Sequence, residues 1–193
     1  MTEMDTSSPS ASDAELARRA IAGDARGFEA LVRRYEAAVF SHVLRMVRNR
    51  DDAMELAQDT FLKAYRHLAQ YDPARSFRTW LLTIATNTAL NRLEARRVRR
   101  LAEAVMEENA RLGEYAAGRN PSPSEEVGRR EMLELIEDSL RKVSAKARAI
   151  FMLRYNHGLS CEEIASAMGE TVSNVKVSLL RTRERLRREL QVE

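Results

Sequence analysis

Three groups of side chains in this 193-residue chain have the types and spacing for recognition chemistry. Asp51, Asp52, Glu55 and Asp59 lie on or beside one helix, where carboxylates offer acceptors to a cationic partner. Arg92, Arg96, Arg97, Arg99 and Arg100 close another helix and supply donors for phosphate oxygens. Near the C-terminus Ser173, Asn174, Lys176 and Val177 precede Arg181, Arg183, Arg185, Arg187 and Arg188. The first four are placed where a recognition helix meets base edges, and the later arginines suit phosphates. Each charge cluster also has a plain explanation. Acids at a helix start and arginines at a helix end offset the macrodipole, and both are at home in water.

The materials for catalysis are missing. The acids stand beside no histidine, glycine-rich loop or metal pattern, so an enzyme acting on nucleic acid is not expected. The single cysteine, Cys161, excludes an intramolecular disulfide and a multi-cysteine metal site, and no basic neighbour in sequence activates its thiol. His42, His67 and His157 share no metal-ligand spacing, and no cofactor or metal is expected. The longest apolar stretches, Trp80-Leu81-Leu82 and Ile150-Phe151-Met152-Leu153, are too short for a membrane span. Residues 1–12 lack the basic start and apolar run of a signal peptide. A cytoplasmic protein with a short frayed N-terminal tail is expected. The net charge of +3 matters less than its partition into acidic and arginine-rich helices.

The elements that must position these groups read as helix throughout. Ser12 and Glu15 have the spacing of a capping box, and Gly23 interrupts the helix they begin. Leu31, Val32, Tyr35, Val39, Val43, Met46 and Val47 recur at threes and fours as one buried stripe. Asn49 to Asp52 breaks that run, with Asp51 read as the next cap; Leu56, Phe61, Ala64, Tyr65 and Leu68 form a second stripe. Asp72-Pro73 marks a turn and Ser76 caps a third helix carrying Trp80, Leu81, Ile84, Ala85 and Leu93. Periodicity fades over 101–122, where Gly113, Gly118, Asn120 and Pro121 accumulate, so this segment reads as a linker. Ser122-Pro123-Ser124-Glu125 restarts helix, and Met132, Leu135, Ile136, Leu140 and Val143 face a second core with Ile150, Phe151, Leu153 and Tyr155. No β-type alternation occurs. The expected fold is all-α: a tail over 1–12, a helical domain over 13–100, a linker over 101–122 and a second helical domain over 123–193.

The second domain carries a helix-turn-helix pattern. Ser160 and Glu163 form a capping box, Ala165 lets two helices approach, and Gly169 permits the positive φ of a tight turn. Val175 and Leu179 return apolar contacts from a helix expected over Val172 to Leu190. Agreement between cap, small residues and arginine helix points to DNA contact.

The run from Asp51 to Phe61 resembles the polymerase-binding helix of extracytoplasmic-function (ECF) sigma factors of bacterial RNA polymerase. Phe77-Arg78-Thr79-Trp80-Leu81-Leu82-Thr83-Ile84-Ala85-Thr86-Asn87-Thr88-Ala89-Leu90-Asn91 resembles that family's downstream-promoter helix. Leu159 to Ala165, with Val175-Lys176 through Arg183, resembles its upstream-element reader. The likeness runs from about Asp13 to Leu190 in the family's order. It implies a region 2-type helical bundle and a region 4-type helix-turn-helix, joined flexibly. Asp52, Glu55, Gln58 and Asp59 would bind core polymerase, whose largest and second-largest subunits are the implied partners. Phe77, Arg78, Asn87 and Asn91, with the loop from Asp72, would read the −10 element, Arg96, Arg97, Arg99 and Arg100 would hold its backbone phosphates, and Trp80 would pack the core. Ser173, Asn174, Lys176, Val177, Arg181 and Arg183 would read the −35 element of promoter DNA. An anti-sigma protein is the implied regulator, and no membrane insertion is implied. Many relatives read glycine-threonine where this chain has Ser173-Asn174, and serine-arginine where it has Val177-Ser178. The competing reading is a helix-turn-helix regulator that binds duplex DNA unaided as a dimer.

Overall fold

The computed structural model describes residues 11–108, 139–140 and 142–190, and among them every regular element is helical. The elements are α1 (Asp13–Ile21), α2 (Ala25–Val47), α3 (Arg50–Arg66), a short 3₁₀ turn (Leu68–Gln70), α4 (Phe77–Glu108), α5 (Ala145–Tyr155), α6 (Cys161–Met168) and α7 (Val172–Leu190). No described helix is long and apolar enough to cross a membrane. Two compact units divide the chain, residues 1–88 and 89–193.

In the first unit local chemistry sets the helix ends and a shared core sets their packing. Ser12 Oγ accepts the Glu15 N–H at 3.2 Å, which satisfies one orphan donor of α1. The connection to α2 turns at Gly23, whose φ of 97° suits a residue without a Cβ. Gly27 has a different task. A Cβ there would lie 2.6 Å from the Leu16 carbonyl oxygen, so the bare backbone lets α1 and α2 touch. Of the stripe on α2, Leu31, Val39, Val43, Met46 and Val47 are buried, while Val32 and Tyr35 are half-buried at its edge. Helix α2 stops at Arg48 in the left-handed region, and the cap of α3 is Asn49, not Asp51: Asn49 Oδ1 accepts the Asp52 N–H at 2.9 Å. Asp51 sits in the first turn of the helix, where its charge meets the positive end of the dipole.

The core of this unit is closed by α3 and the start of α4. Ala53, Leu56, Ala57 and Ala64 are buried on α3, whereas Tyr65, expected in the stripe, is exposed and meets Phe28 edge-on at 5.1 Å between ring centroids. His42 is buried and its Nε2 lies 2.9 Å from Thr86 Oγ1. That hydroxyl donates to the Leu82 carbonyl at 2.7 Å, so the imidazole nitrogen is the donor to it. Helix α4 continues through 101–108, the first part of the segment read as linker. The expected helix start at Ser122 and the apolar positions 132–136 lie outside the described residues.

In the second unit α5, α6 and α7 pack around Ala149, Ile150, Leu153, Ile164, Val175 and Leu179. Leu140 joins the buried set, while Tyr155 is exposed and pairs with Phe151. Both halves of the Ser160–Glu163 capping box form, and Gly169 ends α6 at φ 62°, as the tight turn requires. Val172–Leu190 is a single helix over the span expected from its pattern.

Candidate nucleic-acid and protein interfaces

The acidic helix α3 sorts its polar residues by burial. Asp52 keeps only 8% of its surface exposed, so it stands at the edge of the core and not on an open face. Glu55 and Gln58 are exposed, and Asp59 is half-buried. Asp51, Glu55, Gln58 and Leu62 follow one another at three- and four-residue steps, on one helical face. Met54 and Tyr65 flank that line, and both are large apolar groups left in water, as is Leu62. Acceptors interleaved with apolar surface suit a protein partner that brings both cations and hydrophobic contacts.

The loop before α4 is built from the inside. Phe77 is 1% exposed, so this expected DNA residue is a core anchor that reaches no surface. Its ring meets Tyr71 edge-on at 5.3 Å, Trp80 at 5.5 Å and Tyr35 at 5.8 Å between centroids. Trp80 packs on Tyr71 as well and is half-buried, in keeping with a packing role. Tyr71 donates its hydroxyl to the Arg75 carbonyl at 2.6 Å, and Asp72 Oδ1 accepts the Ala74 N–H at 2.9 Å. Burial raises the Tyr71 phenol above its usual range, keeping it a donor. Ser76 then caps α4 by accepting the Thr79 N–H at 3.2 Å. The aromatic clamp thus fixes a short exposed loop from beneath. Tyr71 is absent from the sequence reading and Tyr35 figures there only in the α2 stripe; the aromatic spacing Tyr71–Phe77–Trp80 is the signal that points to the cluster.

Along α4 the polar groups come to the surface. Arg78, Asn87 and Asn91 are exposed, and the two amides sit four residues apart on one face. Arg96 is half-buried, whereas Arg97 is exposed and 3.9 Å from Glu94. Lys63 on α3 donates to Thr88 Oγ1 at 3.1 Å, tying α3 to the stretch that holds Asn87.

On α7 burial and exposure divide cleanly. Val175, Leu179, Thr182 and Leu186 face inward, and Ser173, Asn174, Lys176, Val177, Arg181 and Arg183 are all exposed. Lys176, Leu180, Arg183 and Arg187 align on one line of the helix; Val177, Arg181 and Arg188 align on another. Exposed Val177 and Leu180 near the helix start are apolar groups of the kind that contact thymine methyls. The turn into α7 contains two residues that the sequence reading passed over. Thr171 Oγ1 accepts the Asn174 N–H at 3.1 Å as the cap, and Glu170 Oε2 accepts from the Asn174 amide at 2.9 Å. At the far end Glu189 accepts from Lys142 at 2.9 Å and from Arg185 at 3.2 Å; the Lys142 bond foremost, then one from Ser139, hold its carboxyl down at about 2. Among the described residues no group of acids, histidines and cysteine is arranged to hold a metal ion.

Residues 31–99 match the family model for Sigma-70 region 2, and residues 133–186 match that for Sigma-70, region 4. The RNA polymerase sigma-H factor of Pseudomonas aeruginosa is 34% identical over 181 residues, covering 93% of this chain and 94% of that protein. The ECF RNA polymerase sigma-E factor of Haemophilus influenzae is 32% identical over 183 residues, covering 93% and 95%. The chain belongs to the ECF sigma factors of RNA polymerase. Its fold is also that of the sigma factor RpoE of Bartonella quintana, solved with the anti-sigma factor NepR (22% identity, TM-score 0.62, 86% of this chain and 98% of that one). A helix-turn-helix alone would have suited a dimeric regulator equally well. The region 2 match over residues 31–99 decides for a sigma factor, a transcription initiation factor and not an enzyme.

Proposed function

We propose that this sigma factor binds core RNA polymerase through the exposed face of α3 and directs initiation at promoters read by two separate surfaces. Residues 13–100 act as the first module, 101–122 as the linker and 123–193 as the second. Glu55, Gln58 and Asp59 contact a basic surface of the polymerase, with Asp52 bracing them from the core edge. Arg78, Asn87, Asn91 and the loop at 72–76 engage the −10 element, backed by Phe77, while Arg96 and Arg97 hold phosphates. The start of α7, at Ser173, Asn174, Lys176 and Val177, reads the −35 element, and Arg181 and Arg183 hold the backbone. The protein works in the cytoplasm, where an anti-sigma protein restrains it. Its relative from Bartonella, of the same fold, was captured with such a partner.

The observation that carries this reading is the division of polar surface. One helix presents acids beside exposed apolar groups, which suits a protein; two others present amides, hydroxyls and guanidinium groups, which suit DNA. The test is co-purification with core polymerase. Glu55→Lys combined with Asp59→Lys should cut core binding at least tenfold while leaving the far-ultraviolet dichroism of a helical protein intact, since opposed like charges cost affinity. Undiminished binding would remove α3 as the contact.

A further inference from the structure

Asn174 does not stand alone at the start of α7. Its backbone N–H is taken by Thr171, and its side-chain Nδ2 donates to Glu170 Oε2 at 2.9 Å. The other carboxylate oxygen of Glu170 accepts from Lys146 of α5. Glu170 is therefore held from two sides, and its side chain retains 19% exposure against 53% for Lys146. The Lys146 bond foremost, then the Asn174 bond, keep the Glu170 carboxyl below its usual range, so it stays an acceptor at neutral pH.

An ionised carboxylate accepts hydrogen bonds and donates none. The amide of Asn174 consequently has one allowed orientation: nitrogen toward Glu170, carbonyl oxygen away from it. A flip would set two acceptor oxygens against each other. On an exposed residue in the first turn of the recognition helix, an outward oxygen selects its partner by chemistry. Phosphate oxygens repel it. In the major groove it is repelled by guanine O6 and thymine O4, and it is satisfied by the exocyclic amino groups of adenine or cytosine.

Resting on the reading of α7 as the −35 reader, we infer that Glu170 is a positioning residue that fixes the Asn174 amide, so that Asn174 Oδ1 reads an amino-bearing base, adenine N6 or cytosine N4, at one position of the upstream element. Glu170 itself touches no DNA. Glycine-threonine, which many relatives have at positions 173–174, carries no amide to be oriented.

The experiment is transcription by core polymerase with the full chain on a promoter library randomised across the upstream element. Asn174→Ala locates the position. The wild type should favour adenine or cytosine there, by roughly tenfold, the selectivity expected of one good base contact. Glu170→Gln replaces the carboxylate with a group that both donates and accepts, so the Asn174 amide can turn. Selectivity at that same position should fall several-fold, with other positions unchanged. Lys146→Met, which loosens Glu170 without touching it chemically, should lower the same selectivity by a smaller factor and serves if Glu170→Gln folds poorly. A uniform loss of activity without a change in base preference would make Glu170 a mere tie between α5 and the turn, and would overturn the inference. So would a wild-type preference for guanine or thymine at the Asn174 position. If the wild type shows no upstream preference at all, the reading of α7 fails first and the inference falls with it.

Discussion

The two surfaces proposed to meet DNA are held by different means. At the loop before α4, exposed residues stand on an aromatic cluster of Tyr71, Phe77 and Trp80, joined by Tyr35 from distant α2. At the start of α7, exposed residues are held by neighbours in sequence: the Ser160–Glu163 box, the left-handed Gly169, the Thr171 cap and Glu170. Ring packing dominates at the first surface; local hydrogen bonds dominate at the second, with one tie to α5 through Lys146 and Glu170. The first should fail cooperatively when its core is hollowed, and the second should weaken in small local steps.

The sharpest way to break this contrast is Phe77→Ala. Truncating a fully buried aromatic side chain costs about 3–5 kcal/mol. Hydrogen exchange on the full chain should show protection lost across α1 to α3 and the start of α4, and retained in α5 to α7. Loss confined to residues 71–77 would contradict the shared-core account. Gly169→Ala probes the other surface. Nothing lies within 4 Å of a Cβ there, so only backbone strain at positive φ counts, about 1–2 kcal/mol. Chemical denaturation should register that loss with α6 and α7 still formed.

This contrast also explains what was legible in the sequence. Caps and turns obey rules a few residues long, and the Ser160–Glu163 box, Gly169 and the span of α7 were all readable from spacing. Asn49 takes the cap expected of Asp51 because α2 ends at Val47, Arg48 turns left-handed and α3 already begins at Arg50. Periodicity located the α2 stripe, yet it could not tell that Phe77 points inward and Tyr65 outward, since each choice depends on which distant ring is adjacent. The acidic helix was visible as composition, but the burial of Asp52 was not. Glu170 escaped notice because its role passes through another side chain.

The smallest expected effect is a difference in pH response. Burial foremost, and the Asp13 carboxylate that accepts its hydroxyl, raise Tyr35 to about 12. The unfolded phenol ionises near 10, so the stability from this group is complete below that pH and is lost between about 10 and 12. Thermal melts of wild type against Tyr35→Phe should converge over that window. Glu189 runs the other way. Held down at about 2 against an ordinary 4.5, it stabilises the second unit above 4.5 and less and less as pH falls toward 2, a small contribution because Lys142 and Arg185 are exposed. Wild type and Glu189→Gln should converge there.

The central claim is that one chain grips the transcription machinery with one helix and selects promoters with two others. Run-off transcription from a promoter library, using purified core polymerase with and without this protein, tests it most directly. The account predicts that start sites appear only with both components and share two conserved blocks, an upstream and a downstream one. Start-site selection that does not depend on the protein, together with tight unaided binding of a dimer to a symmetric duplex site, would contradict it.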